Sequence, residues 1–335
     1  MSKTESDSTY EFLARIHRLA QTAVQRWGFS PKTILSRINH SENTTFRVED
    51  PVSARLTILR VHRVGYHSFE AIRSELQWMT ALRAEAGVET PEPIAAGDGS
   101  LIQTLQSAEL PEPRHAVMFQ FLSGREPSEH DLHASFARLG EITARMHLQA
   151  RAWRRPPGFA RHRWDYETML GARPIWGRWQ DGVGVYGERR RLLERAAATI
   201  RRRLEAFGTS PNRFGLVHAD LRLANLLIDG DRTKVIDFDD CGFSWYLYDL
   251  GAALSFIEHR PDVPELVEAW TIGYRKVARL AREEAAEIPT FIMLRRLLLV
   301  AWIGSHHETE LARQQGDRFT EITCNLAENY LRRFA

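Results

Sequence analysis

Apolar positions in the first third of the chain follow two different spacings. They recur at helical spacing over residues 10–27, where Gly28 closes the run, and again over residues 67–85. Strand-like runs lie on either side of the second helix, at residues 33–38, 44–49, 55–62, 93–96 and 115–122. Because short turns such as Asp50-Pro51 join neighbouring runs, the pattern predicts an antiparallel sheet with a helix packed on it.

The chain changes character after Gly124 and becomes mainly helical. Strong helical patterns cover residues 131–150 and 188–207, and most of the tail from residue 245 to residue 335 is helical as well. Short strand-like runs lie between them, at residues 214–218, 226–229 and 234–238. We therefore expect an α+β protein of two lobes, with a sheet-rich lobe over residues 1–122 and a mainly helical lobe over residues 123–335.

Composition and charge exclude several functional classes. The 335 residues include 45 basic and 43 acidic side chains, a balance that argues against a dedicated nucleic-acid-binding protein. Two cysteines, Cys241 and Cys324, are too few for a disulfide framework or a zinc site. The polar N-terminus does not resemble a secretory signal, and the most apolar stretch, residues 291–304, is interrupted by Arg295 and Arg296 and is too short to span a bilayer. We expect a cytoplasmic protein with no membrane partner.

The residues with the clearest chemistry lie in the segment LVHADLRLANLLIDGDRTKVIDFDD. It contains His218-x-Asp220-x-x-x-x-Asn225 and, after a second apolar run, Asp237. Phosphoryl transfer needs an aligned hydroxyl and metal-neutralised phosphates, and little covalent chemistry from the protein. In that reaction Asp220 would orient the attacking hydroxyl, while Asn225 and Asp237 would bind the Mg²⁺ that also holds the phosphates. The spacing therefore favours phosphoryl transfer.

This segment resembles the superfamily of aminoglycoside phosphotransferases, choline kinases and homoserine kinases, the small-molecule branch of the protein-kinase-like fold. The resemblance covers nearly the whole chain. Two later runs, VIDFDDCGFSWYLYDLGAAL and LRRLLLVAWIG, are similar to the bacterial stress-response kinase and type II homoserine kinase-like group. The resemblance implies a two-lobed kinase-like fold with the active site in the cleft between the lobes. It also implies ATP and Mg²⁺ as cofactors and a hydroxyl group as acceptor.

The resemblance assigns roles to five residues of the second lobe. Asp220 and Asp237 match the catalytic residues of the family, and Asn225 and Asp237 match its metal ligands. His218 matches a residue that packs beneath the catalytic loop. Asp249 matches a position that braces this loop through backbone hydrogen bonds, and an N-cap of the following helix is an equal alternative.

The nucleotide clamp is expected in the first lobe. Arg60 stands where this fold usually carries a strand lysine that pairs with phosphate. Glu75 matches the glutamate that pairs with that basic residue, and its alternative is a surface carboxylate on a helix. The loop over residues 39–46 contains no glycine, unlike the glycine-rich loops of protein kinases. Within it, Ser41, Asn43 and backbone N–H groups would cap the phosphates.

Other residues have two interpretations each. Met118, Phe119 and Phe121 match the hinge between the lobes, where a strand edge offers backbone groups to adenine, but they also fit a plain buried strand. Asp239 and Asp240 either attract a cationic acceptor or have a solvated or helix-capping role. A group of tryptophans either lines an acceptor pocket or packs an irregular insert, and comprises Trp153, Trp164, Trp176 and Trp179.

The identity of the acceptor stays open at the level of sequence. A small-molecule alcohol such as an amino alcohol, homoserine or an aminosugar is the first hypothesis. A protein Ser/Thr kinase is the second, because the most similar group includes a bacterial protein kinase, although the A-P-E marker of eukaryotic kinases is absent after Asp240. A non-catalytic nucleotide-binding module is the third, and it would lack at least one of Asp220, Asn225 and Asp237. Sequence does not fix the oligomeric state.

Overall fold

The computed structural model describes residues 3–40, 43–306 and 309–334, apart from the side chains of residues 3–9 and Glu129. The chain divides into two compact units. Unit 1 comprises Met1–Thr80, Pro91–Ser123 and Pro157–Ala160, and unit 2 comprises Ala81–Thr90, Gly124–Pro156 and Arg161–Ala335. The units are therefore not two continuous pieces of chain, and the lobe limits 1–122 and 123–335 stay a prediction.

Unit 1 is built on an antiparallel sheet, as predicted. Its strands are β1 (Ile34–His40), β2 (Thr44–Asp50), β3 (Arg55–Val61), β4 (Pro93–Ile94), β5 (Ile102–Leu105) and β6 (Arg114–Gln120). They follow the order β1-β2-β3-β6-β4, and β5 also pairs with β6. Helix α1 (Lys3–Ala23) precedes the sheet, and helix α2 (Phe69–Ala86) begins in this unit after β3.

The core of unit 1 lies between α1 and the sheet. Apolar residues at every second position of β2 and β3 point to the same face, as the period of a half-buried strand requires. The buried cluster includes Ile16, Leu19, Ala20, Phe46, Val48, Leu59, Val61 and Met118. Asp50 forms the turn after β2, where its carboxylate accepts hydrogen bonds from the Ser30 and Ser53 hydroxyls at 2.6 and 2.7 Å.

Unit 2 is mainly helical, again as predicted. Its long helices are α3 (Leu132–Ala152), α5 (Gly187–Phe207), α7 (Val263–Val277), α9 (Ile288–Ser305) and α10 (Glu310–Phe334). Three short helices are α4 (Tyr166–Met169), α6 (Tyr248–Ala253) and α8 (Arg282–Ala285). The strands are β7 (His162–Arg163), β8 (Phe214–Val217), β9 (Leu226–Asp229), β10 (Arg232–Val235) and β11 (Gly242–Trp245). Strands β9 and β10 form an antiparallel hairpin, and β11 lies between β7 and β8.

Helix α9 is largely buried inside unit 2. The segment Arg282–Ser305 is the one stretch within the described residues that is long and apolar enough to cross a membrane. However, 72% of the most apolar 18-residue stretch within this segment is buried inside the protein, which is typical of a core helix. Arg295 and Arg296, which interrupt the apolar run, are 2% and 1% exposed. Both guanidinium groups therefore need partners inside the protein.

Candidate active site

The predicted catalytic loop connects β8 to β9. Asp220 follows β8 by three residues, and a 3₁₀ turn from Leu223 to Asn225 leads directly into β9. The side-chain amide of Asn225 donates to the main-chain carbonyl of Asp220 and to its carboxylate oxygen Oδ2, both at 2.8 Å. Because both amide protons point to Asp220, the amide oxygen of Asn225 remains as the acceptor atom of that side chain.

Asp237 lies on a neighbouring piece of backbone. The N–H of Ile236 donates to the carbonyl of Asn225 at 2.9 Å, which places the two predicted metal ligands on adjacent segments. Strand β10 ends at Val235 and not at residue 238 as predicted. Asp237 has a φ of 61° and Ala219 a φ of 68°, both in the left-handed region that non-glycine residues rarely adopt. Such strain is found at functional sites where the surrounding structure holds the backbone.

Asp249 braces the loop. Its carboxylate accepts the N–H groups of His218 and Ala219 at 3.2 and 2.8 Å, and it contacts His147 Nε2 at 3.0 Å. Helix α6 has Leu247 at its N-cap position, and Asp249 lies inside the first turn. Of the two interpretations left open by the sequence, the structure therefore agrees with the brace and not with the N-cap.

The imidazole of His218 links the loop to the segment that carries Asp237. Nδ1 accepts the N–H of Asp220 at 3.3 Å, and Nε2 contacts the carbonyl oxygen of Ile236 at 3.1 Å. The ring also packs against Phe238, with centroids 4.5 Å apart. With both ring nitrogens bonded to backbone groups, His218 has the structural position that the sequence predicts.

Arg295 is a residue of the site that the sequence analysis missed. Its guanidinium donates to Asp220 Oδ1 from α9, 75 positions away in the sequence. The second carboxylate oxygen of Asp220, Oδ2, accepts from Arg222 at 3.3 Å. Burial would raise the pKa of Asp220, but the charges of Arg295 and Arg222 outweigh burial and hold that pKa below its usual value. Asp220 is therefore ionised at neutral pH.

In unit 1, Arg60 and Glu75 form the predicted pair. The guanidinium of Arg60 on β3 donates to Glu75 Oε1 on α2 at 2.6 Å, and the two residues are 6% and 0% exposed. Glu75 is therefore not a surface carboxylate. The Arg60 guanidinium carbon also lies 5.1 Å from the centroid of the Phe119 ring.

The loop between β1 and β2 is described in part. Ser41 lies outside the described residues. The side-chain oxygen of Asn43 accepts the N–H of Arg63 at 3.1 Å, so this side chain joins the loop to the residues that follow β3.

The three predicted hinge residues have different environments. Met118 and Phe119 lie in β6, where β3 pairs on one side and β4 on the other, and they are 0% and 5% exposed. Their backbone groups face neighbouring strands, as in a plain buried strand. Phe121 follows the end of β6 and is 40% exposed, so backbone free of strand pairing begins there.

The residues after Asp237 are held through their carbonyl groups. Arg161 donates to the carbonyl oxygens of Asp239 and Cys241, the latter at 2.7 Å, and the indole of Trp164 donates to that of Asp240 at 2.7 Å. Asp239 is buried. Of the four tryptophans, Trp164, Trp176 and Trp179 are less than 5% exposed, which agrees with a packing role, whereas Trp153 is half-buried.

The donor set restricts the kind of metal site. Across residues 3–40, 43–306 and 309–334, no group of three or more His, Cys, Asp or Glu residues could hold a metal ion. One carboxylate and one amide oxygen, from Asp237 and Asn225, suit Mg²⁺, which keeps several waters and binds substrate phosphates.

The comparisons with known proteins identify the family. The model of the phosphotransferase enzyme family (APH) matches residues 34–288, which is most of the chain. The protein belongs to this phosphotransferase family. It is therefore an enzyme, a small-molecule kinase with a hydroxyl group as acceptor, and the non-catalytic alternative is excluded.

Individual relatives differ in their sequence identity to this phosphotransferase. It is 25% identical over 288 residues to amicoumacin kinase of Bacillus subtilis, an alignment that covers 83% of this chain and 81% of the relative. It is 27% identical over 243 residues to homoserine kinase of Methylobacillus flagellatus, an alignment that covers 71% of this chain and 69% of the relative. Among solved structures, a microcompartment-associated aminopropanol kinase is 44% identical with a TM-score of 0.86, covering 94% of this chain and 97% of that one. The amicoumacin kinase hAmiN, in complex with AMP-PNP, Ca²⁺ and Ami, has 20% identity and a TM-score of 0.76 over 94% and 96%, and shows the fold alone.

Proposed function

We propose that this phosphotransferase transfers the γ-phosphoryl group of ATP, as its Mg²⁺ complex, to the hydroxyl of a small amino alcohol. The observation that carries the reaction type is the contact between Asn225 and Asp220, which joins a metal-ligand side chain to the ionised carboxylate beside it. In a phosphoryl transfer, this arrangement would set the attacking hydroxyl beside the phosphates of the nucleotide.

Asp220 orients the acceptor hydroxyl. Its pKa is lowered, so at neutral pH the carboxylate accepts a hydrogen bond from the hydroxyl proton and aligns the oxygen for in-line attack. Its position is held from several directions, by Asn225, by Arg295 and through the backbone brace of Asp249. A fixed carboxylate favours a reactive geometry of the bound acceptor.

Asn225 and Asp237 are the residues that would hold Mg²⁺. The amide oxygen of Asn225 points away from the two hydrogen bonds that its amide group makes, and Asp237 is an exposed carboxylate. When bound, the ion neutralises the developing charge on the phosphates. The strained left-handed backbone of Asp237 supports a functional position for this carboxylate.

Arg60, paired with Glu75, binds the nucleotide phosphates, with Ser41 and Asn43 in the β1–β2 loop. A guanidinium has five donors, so Arg60 can keep its bond to Glu75 and still donate to a phosphate. Of the hinge residues, Phe121 fits an adenine contact better than Met118 and Phe119, because the backbone of these two faces paired strands on both sides.

An amino alcohol is the proposed acceptor class. The support is the 44% identity to the aminopropanol kinase over 94% of this chain, which exceeds the 25–29% identity to the amicoumacin and homoserine kinases. Asp240 follows the metal-binding segment and is partly exposed, and a carboxylate at this place would favour a cationic acceptor, whereas Asp239 is buried.

The test is acceptor-dependent release of ADP from Mg·ATP by the purified protein. Aminopropanol, ethanolamine, choline, homoserine and an aminosugar are assayed separately, and casein is assayed as a protein acceptor. We expect the highest kcat/KM with an amino alcohol and no release in Asp220→Asn. The surface variant Asp262→Asn, whose carboxylate bonds only Arg260 among described side chains, serves as matched control. Phosphate transfer to casein alone would favour the protein kinase hypothesis instead.

A further inference from the structure

Arg295 is a buried side chain of unit 2 whose guanidinium group is fully hydrogen-bonded. It is 2% exposed, and every one of its nitrogens donates a hydrogen bond. Nε donates to the Ser255 hydroxyl at 2.9 Å, and Nη1 donates to the Tyr248 hydroxyl at 3.1 Å and to the carbonyl of Ala219 at 3.3 Å. Nη2 donates to Asp220 Oδ1. The same side chain therefore holds both the backbone and the carboxylate of the catalytic loop.

These contacts determine which lone-pair position of the Asp220 carboxylate can accept a further hydrogen bond. A carboxylate accepts at about four lone-pair positions. Arg295 uses one on Oδ1, while Asn225 and Arg222 use those on Oδ2, at 2.8 and 3.3 Å. Among the contacts of the described residues, the remaining position lies on Oδ1, beside the Arg295 bond. Removal of Arg295 would open a second direction on Oδ1 and leave the carboxylate held through Oδ2 alone.

The neighbouring Arg296 is the natural comparison. It is buried to the same degree, at 1% exposure, but it bonds Glu258, Thr323 and the carbonyl of Phe319 at 2.7, 2.8 and 3.0 Å. These contacts connect α9 to α10 and to the segment after α6, away from the catalytic loop. Replacement of a buried ion pair by apolar residues often leaves stability unchanged or higher, so burial alone does not explain an arginine at position 295.

We propose that Arg295 is a positioning residue for phosphoryl transfer, which fixes the carboxylate of Asp220 in the one orientation that can accept the hydroxyl proton. This inference rests on the proposed function, since it takes Asp220 as the group that orients the acceptor. Arg295 itself touches neither acceptor nor nucleotide in this role. It should therefore affect kcat and leave both KM values near those of the wild type.

The experiment compares wild type, Arg295→Met, Arg295→Lys and Arg296→Met, with kcat, both KM values and thermal unfolding measured for each. We expect Arg295→Met to lower kcat by about 100-fold, the typical effect of misplaced reacting groups, with little change in KM. The kcat of Arg295→Lys should lie between those of the wild type and Arg295→Met, because lysine keeps the charge but not the planar fork. Arg296→Met should lose thermal stability and keep its kcat.

Three outcomes overturn the inference. They are a folded Arg295→Met variant with the kcat of the wild type, a loss that appears in KM alone, and an equal loss of kcat in Arg296→Met. If Arg295→Met does not fold, Ser255→Ala removes the acceptor of Nε without touching Asp220. A severalfold lower kcat in that variant supports the inference, and an unchanged kcat contradicts it.

Failure of the proposed function is a separate result. A wild-type enzyme without turnover of any amino alcohol contradicts the acceptor class and involves no Arg295 variant. Hydrolysis of Mg·ATP without acceptor then provides the comparison, because water replaces the acceptor hydroxyl at Asp220. Equal hydrolysis rates in wild type and Arg295→Met would overturn the role of Arg295, and a slower rate in the variant would support it.

Discussion

At the scale of single residues, the sequence predicts that an arginine on β3, Arg60, takes the place of a strand lysine. Arg60 is buried, bonds Glu75 at 2.6 Å and lies against the face of Phe119. An arginine side chain is longer than lysine, and its planar fork binds two partners at once. The pair therefore suits a phosphate grip in which Glu75 holds the guanidinium of Arg60 in place.

Replacement of Arg60 tests this role. We expect Arg60→Ala to raise KM for ATP by about 10- to 100-fold, since a hydrogen bond to a charged group contributes about 1.5–3 kcal/mol. Arg60→Lys should keep more of the affinity than Arg60→Ala. The matched control is Arg18→Ala, which removes a surface pair with Glu109 in the same unit. Unchanged KM and kcat in folded Arg60→Ala would remove Arg60 from the nucleotide site.

Residue spacing predicts some contacts of the site and cannot predict others. The pair of Arg60 and Glu75 matches a known family pattern, so sequence suffices to predict it. His147 and Arg295 bond partners 102 and 75 positions away, and both occur in helices where a polar residue normally faces solvent. For Arg295 a signal exists, because an arginine within the apolar run LRRLLLV indicates a buried partner.

At the scale of elements, α3 and α7 approach each other closely through two glycines. A Cβ atom at Gly140 would overlap the carbonyl oxygen of Trp270 in α7, and one at Gly273 would overlap the carbonyl oxygen of Ala137 in α3. A helix interior normally disfavours glycine, so these two positions serve the packing of the backbones. The contact also holds His147 of α3 near Tyr274 of α7, at 3.1 Å from its hydroxyl.

Substitution at this contact should destabilise unit 2. We expect Gly273→Ala to lower the free energy of unfolding by about 1–3 kcal/mol, the usual cost of overpacking, despite the better helix propensity of alanine. Ile272→Ala, at a position that is 52% exposed on the same helix, should stay within about 0.5 kcal/mol of the wild type. Urea unfolding at pH 7 measures both. Equal stability of Gly273→Ala and wild type would show that the helices move apart without cost.

Periodicity predicts most elements but not all of their ends. Helix α1 ends at Ala23, followed by a 3₁₀ turn to Trp27, and Gly28 has the left-handed φ of 71° that ends the helical run as predicted. Strand β5 is missed, because four residues are too few to establish a period. Strand β10 ends early because a left-handed residue at position 237 cannot continue a strand, and nothing in the local pattern indicates that conformation.

At the scale of the whole molecule, the order of elements is sufficient to predict an antiparallel sheet followed by a helical region. The order of elements does not predict that residues 81–90 belong to unit 2 and residues 157–160 to unit 1, because this depends on contacts between residues distant in sequence. Within unit 1, the N–H of Ala160 donates to the Ser74 hydroxyl at 2.9 Å. Within unit 2, the N–H of Val235 donates to the carbonyl of Glu89 at 2.9 Å.

The carboxylate of Asp249 has a consequence for native-state hydrogen exchange. Loop amides usually exchange through small local openings, whereas core amides exchange only when larger units open. The amides of His218 and Ala219 donate to a carboxylate that is 0% exposed. We expect them to exchange as slowly as the core amides of α3, and far more slowly than the turn amide of Gly99. In Asp249→Asn their protection should fall while that of α3 persists. In the wild-type protein, the catalytic loop would therefore open together with the core of the helical unit and not as a separate mobile segment.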